Sequence, residues 1–441
     1  MDWWIAGGTV VTCDAAGTVV TGDVLVRDGR IVAIGAAARK ALRGPARVLD
    51  ARGCAVIPGF VQAHVHLCQT LFRGMADDLP LLDWLRQRIW PLEAAHDEAS
   101  LRASAELGLV EMMRAGTTTI LDMGTVRHHD VVFDACVRSG VRAIGGKTMM
   151  DVGEGVPKGL RETTKSSLDE SERLAREWQG REGRIGYAWA PRFVLSCSEK
   201  LVRGAVERAQ ELGQIVHTHV AEHASEREAV RRALGADDLA VLRRWGVRGP
   251  RAVLAHGVQL TDDEARALAD DGTRVVHCPS ANLKLGSGIA RVSDLDAIGV
   301  RLALGADGAP CNNDMDPWVE MRHAALLAKV RTAPTALPAA RVLRLATIDG
   351  ARALGLDAEI GSLEPGKKAD LAVVRIDGPH AEPGGDPYAR LVYACHASDV
   401  RHVLVDGALV VKDGEHQRLD AEAVTARARE QGRRVRTRAR L

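Results

Sequence analysis

Histidines and acidic residues stand at the ends of four apolar segments of the chain. One segment ends in His64-Val65-His66, another in His217-Thr218-His219 followed by Glu222, a third in His256 and a fourth in Asp307. Because residues i and i+2 of a strand point to the same side, His64 and His66 can reach one point. Imidazoles with a carboxylate and no cysteine pattern suit Zn²⁺, with Fe²⁺ or Mn²⁺ as alternatives, in a site that keeps a position open for water. The pattern therefore indicates a metal site that activates water.

An alternation of apolar and amphipathic segments must position these side chains. The apolar segments cover residues 55–67, 117–124, 142–151, 184–192, 215–222, 252–258, 274–280 and 301–308. This βα repeat predicts an α/β fold, a closed (β/α)8 TIM barrel, in which catalytic groups gather at the carboxyl ends of the strands. A doubly wound open sheet is the alternative, but no GxGxxG motif follows the first segment.

Both ends of the chain depart from this βα repeat. They contain short β-branched runs separated by turn signals such as Asp28-Gly29 and Pro365-Gly366. Neither end contains enough strands for a stable sheet by itself. We therefore expect a small composite β-sandwich domain built from both termini. The expected boundaries are 1–57 for its N-terminal part, 58–360 for the metal-dependent barrel, and 361–441 for its C-terminal part and a terminal helix.

The composition excludes several classes of protein. The 441 residues include 59 basic and 58 acidic ones, a formal charge of +1, and 46% are hydrophobic. This balance argues against a wholly disordered chain, a nucleic-acid-binding protein and an anionic-membrane binder. The start lacks a secretory signal pattern and no apolar run approaches the ~20 residues of a membrane span, so a cytoplasmic protein is expected. The eight cysteines show no CxxC spacing and are interpreted as reduced core thiols.

The motifs together resemble those of the amidohydrolase superfamily over nearly the whole chain. The resemblance is carried by the string Val56-Ile57-Pro58-Gly59-Phe60-Val61-Gln62-Ala63-His64-Val65-His66, by His219-Val220-Ala221-Glu222, by His256 and Asp307, and by the segment from Gly361 to Asp370. Within that superfamily the chain is similar to the mononuclear aminohydrolases, which include S-adenosylhomocysteine/methylthioadenosine and 5'-deoxyadenosine deaminases, guanine deaminase and triazine hydrolases. The resemblance also implies the composite β domain.

The resemblance implies a role for each polar residue at the barrel mouth. His64, His66, His219 and Asp307 would ligate one metal ion, whose bound water has its pKa lowered from 15.7 to about 7. Asp307 would take the proton and orient the hydroxide. Glu222 would be the general acid/base that protonates a ring nitrogen and later carries a proton to the leaving ammonia. His256 would be a hydrogen-bond or electrostatic partner of the hydroxide rather than a metal ligand.

A binuclear site is the alternative arrangement of the metal centre. It would use His256 as a ligand and needs a bridging group such as a carboxylated lysine, for which Lys147 is the only candidate. The proton-shuttling role of Glu222 favours a single ion. His217 is expected either behind the ligands or in the core.

The residues that would contact the substrate resemble those of two branches of the superfamily. Trp84 and Glu93 match positions that line the pocket and hold ribose hydroxyls in adenosine-type deaminases, whereas Gln69 and Arg192 match base-gripping residues of guanine deaminase. Lys147 and Arg192 stand where homocysteine-binding members carry an arginine and a histidine, which disfavours S-adenosylhomocysteine.

The sequence therefore predicts a zinc-dependent hydrolytic deaminase of an amino-purine, foremost an adenosine-type nucleoside such as 5'-deoxyadenosine. Guanine deaminase, a triazine amino- or chlorohydrolase and a catalytically silent binding barrel are the alternatives. The expected partner is a small heterocyclic substrate, with neither nucleic acid nor membrane, and the resemblance is compatible with a homo-oligomer.

Overall fold

The computed structural model describes residues 2–441, and its strands form two sheets. In chain order the strands are β1 (Trp3–Val11), β2 (Val19–Arg27), β3 (Arg30–Ile34), β4 (Arg47–Asp50), β5 (Cys54–Pro58), β6 (Phe60–Val65), β7 (Thr117–Met123), β8 (Arg142–Gly146), β9 (Thr148–Met149), β10 (Ile185–Pro191), β11 (Ile215–Val220), β12 (Ala252–His256), β13 (Arg274–His277), β14 (Arg301–Leu304), β15 (Leu371–Arg375), β16 (Val400–Val405), β17 (Ala408–Lys412) and β18 (Glu415–His416).

The α-helices lie mostly between the barrel strands and after them. They are α1 (Ala36–Ala41), α2 (Leu81–Trp84), α3 (Trp90–Ala94), α4 (Glu98–Arg114), α5 (His129–Ser139), α6 (Thr164–Trp178), α7 (Glu199–Leu212), α8 (Ala224–Leu234), α9 (Asp238–Arg244), α10 (Asp262–Asp271), α11 (Pro279–Lys284), α12 (Val292–Ile298), α13 (Ala309–Asn312), α14 (Pro317–Arg331), α15 (Ala339–Leu345), α16 (Ile348–Ala353), α17 (Pro387–Tyr393) and α18 (Ala421–Ala439). A π-helical turn, Leu85–Ile89, joins α2 to α3.

The central sheet is a parallel barrel. Its strands follow the order β6, β7, β8, β10, β11, β12, β13 and β14, and β9 adds a short pairing to β10. Val65, the last residue of β6, forms a parallel bridge with Asp307, which follows β14, and the Asp307 N–H donates to the His64 carbonyl at 3.1 Å. These contacts join the last strand to the first. The predicted (β/α)8 fold is confirmed.

The first apolar segment contains two strands rather than one. β5 pairs with β1 and β15 of the terminal sheet, whereas β6 begins the barrel. Gly59 lies between them, and a Cβ there would stand 2.1 Å from Thr118 Cγ2. Because only glycine permits this approach, the chain passes from one sheet to the other at this residue.

The second sheet is built from both termini, as predicted. Its strands follow the order β18, β17, β16, β15, β5, β1, β2 and β3, with β4 beside β1. The sheet curls back on itself, because the Ile31 N–H donates to the Lys367 carbonyl and the Ala369 N–H to the Gly29 carbonyl, both at 2.8 Å. A separate apolar cluster, which includes Trp3, fills the interior of this curl.

Buried ion pairs attach the terminal sheet to the barrel. Arg142, the first residue of β8, is 4% exposed and bonds to Asp370 at 3.0 Å and to Asp406 at 2.6 Å. These contacts lie at the amino ends of the barrel strands. The opposite rim is therefore free to carry a site.

The C-terminal helix, α18, returns to the barrel. Arg427 bonds to Glu106 of α4 at 2.8 Å, and Arg438 bonds to Asp97, the N-cap of α4, at 2.9 Å. All eight cysteines are buried free thiols. Among residues 2–441 we find no helix with the length and apolarity needed to cross a membrane.

Candidate active site

The carboxyl ends of β6, β11, β12 and β14 bring the predicted metal ligands together. His66 Nε2 lies 3.3 Å from His219 Nε2. Asp307 Oδ1 lies 3.3 Å from His64 Nε2 and 3.4 Å from His66 Nε2. Three segments that are far apart in the chain thus bring four ligand residues close together.

The backbone at this rim is strained. Ala221, His256 and Asp307 adopt φ angles of 49°, 78° and 63°, in the left-handed region that non-glycine residues rarely occupy. Each such residue costs on the order of 1–3 kcal/mol. The Ala221 N–H donates to Asp238 Oδ2 at 2.5 Å, which helps to hold this geometry. Three of the chain's left-handed non-glycine residues thus lie where Glu222, His256 and Asp307 turn into the barrel mouth.

Backbone carbonyls determine which nitrogen carries the hydrogen in two of the imidazoles. His66 Nδ1 lies 2.7 Å from the Met123 carbonyl oxygen, and His219 Nδ1 lies 2.7 Å from that of Arg192. Because a carbonyl only accepts, both Nδ1 atoms carry the hydrogen. In the neutral rings each Nε2 is therefore a bare lone pair, and the two lone pairs face each other.

Burial keeps these imidazoles neutral. It lowers the pKa of His66 to about 3 and lowers those of His64 and His219 from the usual 6.5. His64 Nε2 is buried and has no hydrogen-bond partner among the described residues. Neutral imidazoles with uncompensated lone pairs are the form in which histidine ligates a metal.

The separations of the donor atoms also fit a metal. Ligand atoms about 2.0–2.1 Å from a tetrahedral zinc ion lie about 3.3 Å apart, and the three separations here are 3.3, 3.3 and 3.4 Å. Nothing else in the site offsets the mutual repulsion of the lone pairs. The residues of this site fit a divalent metal ion.

Glu222 stands beside this centre. Its Oε2 lies 3.5 Å from His256 Nε2, and Asp307 Oδ2 lies 3.8 Å from the same nitrogen. Burial, together with the negative charge of Asp307, raises the pKa of the Glu222 carboxyl well above its usual value. His256 Nδ1 bonds to Asn282 Oδ1 at 2.9 Å, which orients the ring. Burial thus favours the protonated form of the Glu222 carboxyl at this centre.

A cavity opens onto these groups. Its lining residues are His66, Gln69, Leu81, Trp84, Leu85, Arg192, Phe193, His219, Glu222, Glu226, His256 and Asp307. The buried Trp84 Nε1 has no partner among residues 2–441, so it is free to donate to a ligand.

The residues predicted to contact substrate fall into three positions. Gln69, Trp84 and Arg192 line the cavity. Glu93 lies behind them and receives hydrogen bonds from Arg192 Nη1 at 2.6 Å, Arg192 Nη2 at 3.2 Å and Gln69 Nε2 at 2.8 Å. Lys147 is outside the lining, because its Nζ bonds to Glu162 at 2.5 Å and to Ser167 at 3.2 Å.

Several lining residues were not expected from the sequence. Leu81 and Leu85 come from the segment after β6, Phe193 follows β10, and Glu226 lies on α8. Glu226 follows Glu222 by four residues and lies in the first turn of α8, and this nearness in the chain was the available signal. Asn282 orients His256, but no sequence pattern around it indicated this role.

Comparison with known proteins gives the same picture. A model described as the Amidohydrolase family matches residues 55–410. A 5-methylthioadenosine/S-adenosylhomocysteine deaminase of Moorella thermoacetica is 42% identical over 86% of this chain and 87% of its own length. A 5'-deoxyadenosine deaminase of Methanothermobacter thermautotrophicus is 40% identical over 93% of both chains. The crystal structure of an adenosine deaminase from Xanthomonas campestris with bound zinc superposes with a TM-score of 0.93 and 35% identity over 99% of both chains.

Proposed function

This chain belongs to the amidohydrolase family, and on that premise we propose that it is a zinc-dependent hydrolytic deaminase of an adenosine-type nucleoside, with 5'-deoxyadenosine as the first substrate to test. One observation carries the proposal. Bare imidazole nitrogens and the Asp307 carboxylate converge beside the buried acid Glu222, at the wall of a cavity with aromatic lining residues. The two relatives named above, both deaminases of adenosine derivatives, support the substrate class.

His64, His66, His219 and Asp307 are the residues that would hold the ion. Zinc at this position would supply a Lewis acid that lowers the pKa of water to about 7. The chain supplies the remaining chemistry, which consists of proton transfers and the orientation of the substrate.

Glu222 is the proton donor of this mechanism. Burial raises the pKa of its carboxyl well above the usual value and so favours the protonated form, which can donate to the ring nitrogen next to the amino-bearing carbon. Donation makes that carbon more electrophilic as water attacks it. The resulting carboxylate can take the remaining proton of the added hydroxyl group and pass it to the amino group, which leaves as ammonia while the carbonyl forms; the proton held by Asp307 then restores the acid.

Asp307 and His256 act on the attacking water. The Asp307 carboxylate can accept the proton that the water loses. His256 Nε2 lies within 3.8 Å of both carboxyl groups, and it can orient the water between them. Asn282 holds the imidazole in that direction.

The cavity walls suit a planar base. Trp84 and Phe193 contribute aromatic surface and Leu81 and Leu85 aliphatic surface, from which a bound base would displace water. Exclusion of water strengthens the electrostatic action of Glu222 and Asp307.

Ammonia release tests the proposal. The purified zinc-loaded enzyme is incubated with 5'-deoxyadenosine, methylthioadenosine, guanine and melamine, and kcat/KM is measured for each. We expect the two nucleosides to exceed guanine and melamine. Absence of ammonia release from both nucleosides would remove the proposal.

Guanine deaminase is the second candidate, and one observation favours it. Gln69 and Arg192 reach the cavity wall, whereas the Glu93 carboxylate lies behind them and is engaged by both. That arrangement offers hydrogen-bonding groups to a free base, while Glu93 lies buried against protein partners and away from the cavity lining. A higher kcat/KM for guanine than for the nucleosides would establish this alternative.

A further inference from the structure

His217 lies directly behind the His64 ligand. Its Nε2 is 2.8 Å from His64 Nδ1, and its own Nδ1 is 2.9 Å from the Val253 carbonyl oxygen. Both rings are fully buried, each with 0% exposed surface. The three groups form a linear series of hydrogen bonds that ends at the face where His64 Nε2 meets Asp307.

The Val253 carbonyl determines which atom donates and which accepts in each hydrogen bond of this series. Because the Val253 oxygen only accepts, His217 Nδ1 carries a hydrogen. In the neutral ring His217 Nε2 is then an acceptor, so the bond between the rings is donated by His64 Nδ1. His64 Nε2 is left as a bare lone pair directed at the candidate metal position.

The opposite tautomer of His64 has its own stabilising contact. With the hydrogen on Nε2, His64 would direct that N–H at Asp307 Oδ1, which is 3.3 Å away. That arrangement places a hydrogen where a metal would lie and engages the carboxylate as well. Some interaction must therefore oppose the attraction of Asp307 for a hydrogen on His64.

We infer that His217 is a positioning residue which, through its bond to His64 Nδ1, holds His64 in the only tautomer able to ligate zinc. The inference rests on the proposed metal site and adds a residue to it. His217 acts through His64 and has no contact with the cavity, since the lining residues do not include it. Partners of this kind typically change metal affinity by 10–100-fold.

Two amide substitutions separate this role from simple packing. In His217→Gln the amide lies near the former Nε2, so its oxygen can still accept from His64. In His217→Asn the amide lies near the former Nδ1, so it can keep the bond to Val253 but cannot reach His64. Both variants retain a polar side chain of similar volume, and their folding is checked by circular dichroism.

Zinc affinity is the readout. Metal-free full-length proteins are titrated with zinc in competition with a chromophoric chelator. We expect His217→Asn to bind zinc about 10–100-fold more weakly than the wild type, and His217→Gln to remain within roughly threefold of it. His129→Asn is the matched control, because His129 is also buried and neither ring nitrogen has a partner among the described residues; its zinc affinity should not change.

The outcomes distinguish the two proposals. If the wild type binds no stoichiometric zinc, the metal site of the proposed function fails. If the wild type binds zinc and His217→Asn binds it equally tightly, the positioning role of His217 fails while the metal site stands. Equal weakening in the Gln and Asn variants would also overturn it, since the acceptor for His64 would then not be what matters.

Discussion

His66 and His219 lie 153 residues apart in the chain, yet their Nε2 atoms face each other at 3.3 Å. Both nitrogens are bare lone pairs, because the Nδ1 atoms donate to backbone carbonyls. Two lone pairs at this distance repel each other unless a cation lies between them. The fold therefore supports a geometry that a metal would stabilise.

Removal of metal should destabilise the protein. Zinc at about one hundred times its dissociation constant stabilises a folded protein by about 2.7 kcal/mol. We expect chelation to abolish deaminase activity and lower the unfolding midpoint in calorimetry, and added zinc to restore both. The double variant His66→Ala/His219→Ala serves as control and should show no zinc-dependent shift. A wild-type midpoint insensitive to zinc would contradict the proposed site.

Glu222→Gln should lose most of its activity. The amide cannot donate and recover a proton, so kcat should fall by about 10²–10⁴-fold, while zinc content stays unchanged. Glu228→Gln, on the exposed face of α8, is the matched control and should retain wild-type turnover. Near wild-type rates in Glu222→Gln would eliminate the mechanism described above.

The pH dependence of kcat should reflect the raised pKa of Glu222. Burial raises this pKa well above the usual value, so the protonated, donating form persists to higher pH than for an ordinary glutamate. Activity should persist above the pH at which an ordinary glutamate ionises and fall as pH rises through the raised pKa. Steady-state assays from pH 5 to 10 test this. A fall already complete near pH 5, as for an ordinary glutamate of pKa about 4.3, would argue against Glu222 as the donor.

Arg192→Leu should be strongly destabilising. The substitution leaves the Glu93 carboxylate, whose side chain is 0% exposed, without its ion-pair partner, at a cost of about 3–5 kcal/mol. The double variant Glu93→Leu/Arg192→Leu should recover part of that loss, because no charge remains buried. Arg203→Leu breaks an exposed pair with Glu199 and should change the urea-derived free energy of unfolding by less than about 1 kcal/mol. Equal effects of the two single substitutions would contradict this account.

Asp122→Asn should stabilise the protein more at pH 8 than at pH 5. Burial raises the pKa of Asp122 to about 7, and its Oδ2 has no hydrogen-bond partner among the described residues. Since folding favours the protonated form, ionisation opposes folding increasingly from about pH 4, the pKa of an unfolded aspartate, up to pH 7. The asparagine oxygen can still accept from the Leu67 N–H, which bonds to Asp122 Oδ1 at 2.8 Å.

Urea unfolding at both pH values measures the difference, which should reach a few kcal/mol at pH 8. Asp270→Asn, at an exposed position on α10, should show no comparable dependence on pH. A stabilisation that is the same at both pH values would mean that the charge of Asp122 is not its cause.

The positions of the candidate ligands could be predicted from the sequence because they depend on local rules. Side-chain alternation places His64 and His66 on one side of a strand, and a parallel barrel carries its polar residues at the carboxyl ends of the strands. Both rules operate within a few residues of the chain. The barrel and the sheet of both termini followed from the same local patterns.

The neighbours of those ligands were decided by tertiary structure. Lys147 lies in the break between β8 and β9, where it turns toward Glu162 and away from the cavity. Glu93 and Arg192 are 99 residues apart, and their pairing depends on how the segment after β6 packs against the end of β10. The sequence by itself determined which residue types reach the rim. Non-local packing and burial decided which of these residues face one another and which imidazole nitrogens carry a hydrogen. No short sequence pattern exists for such contacts.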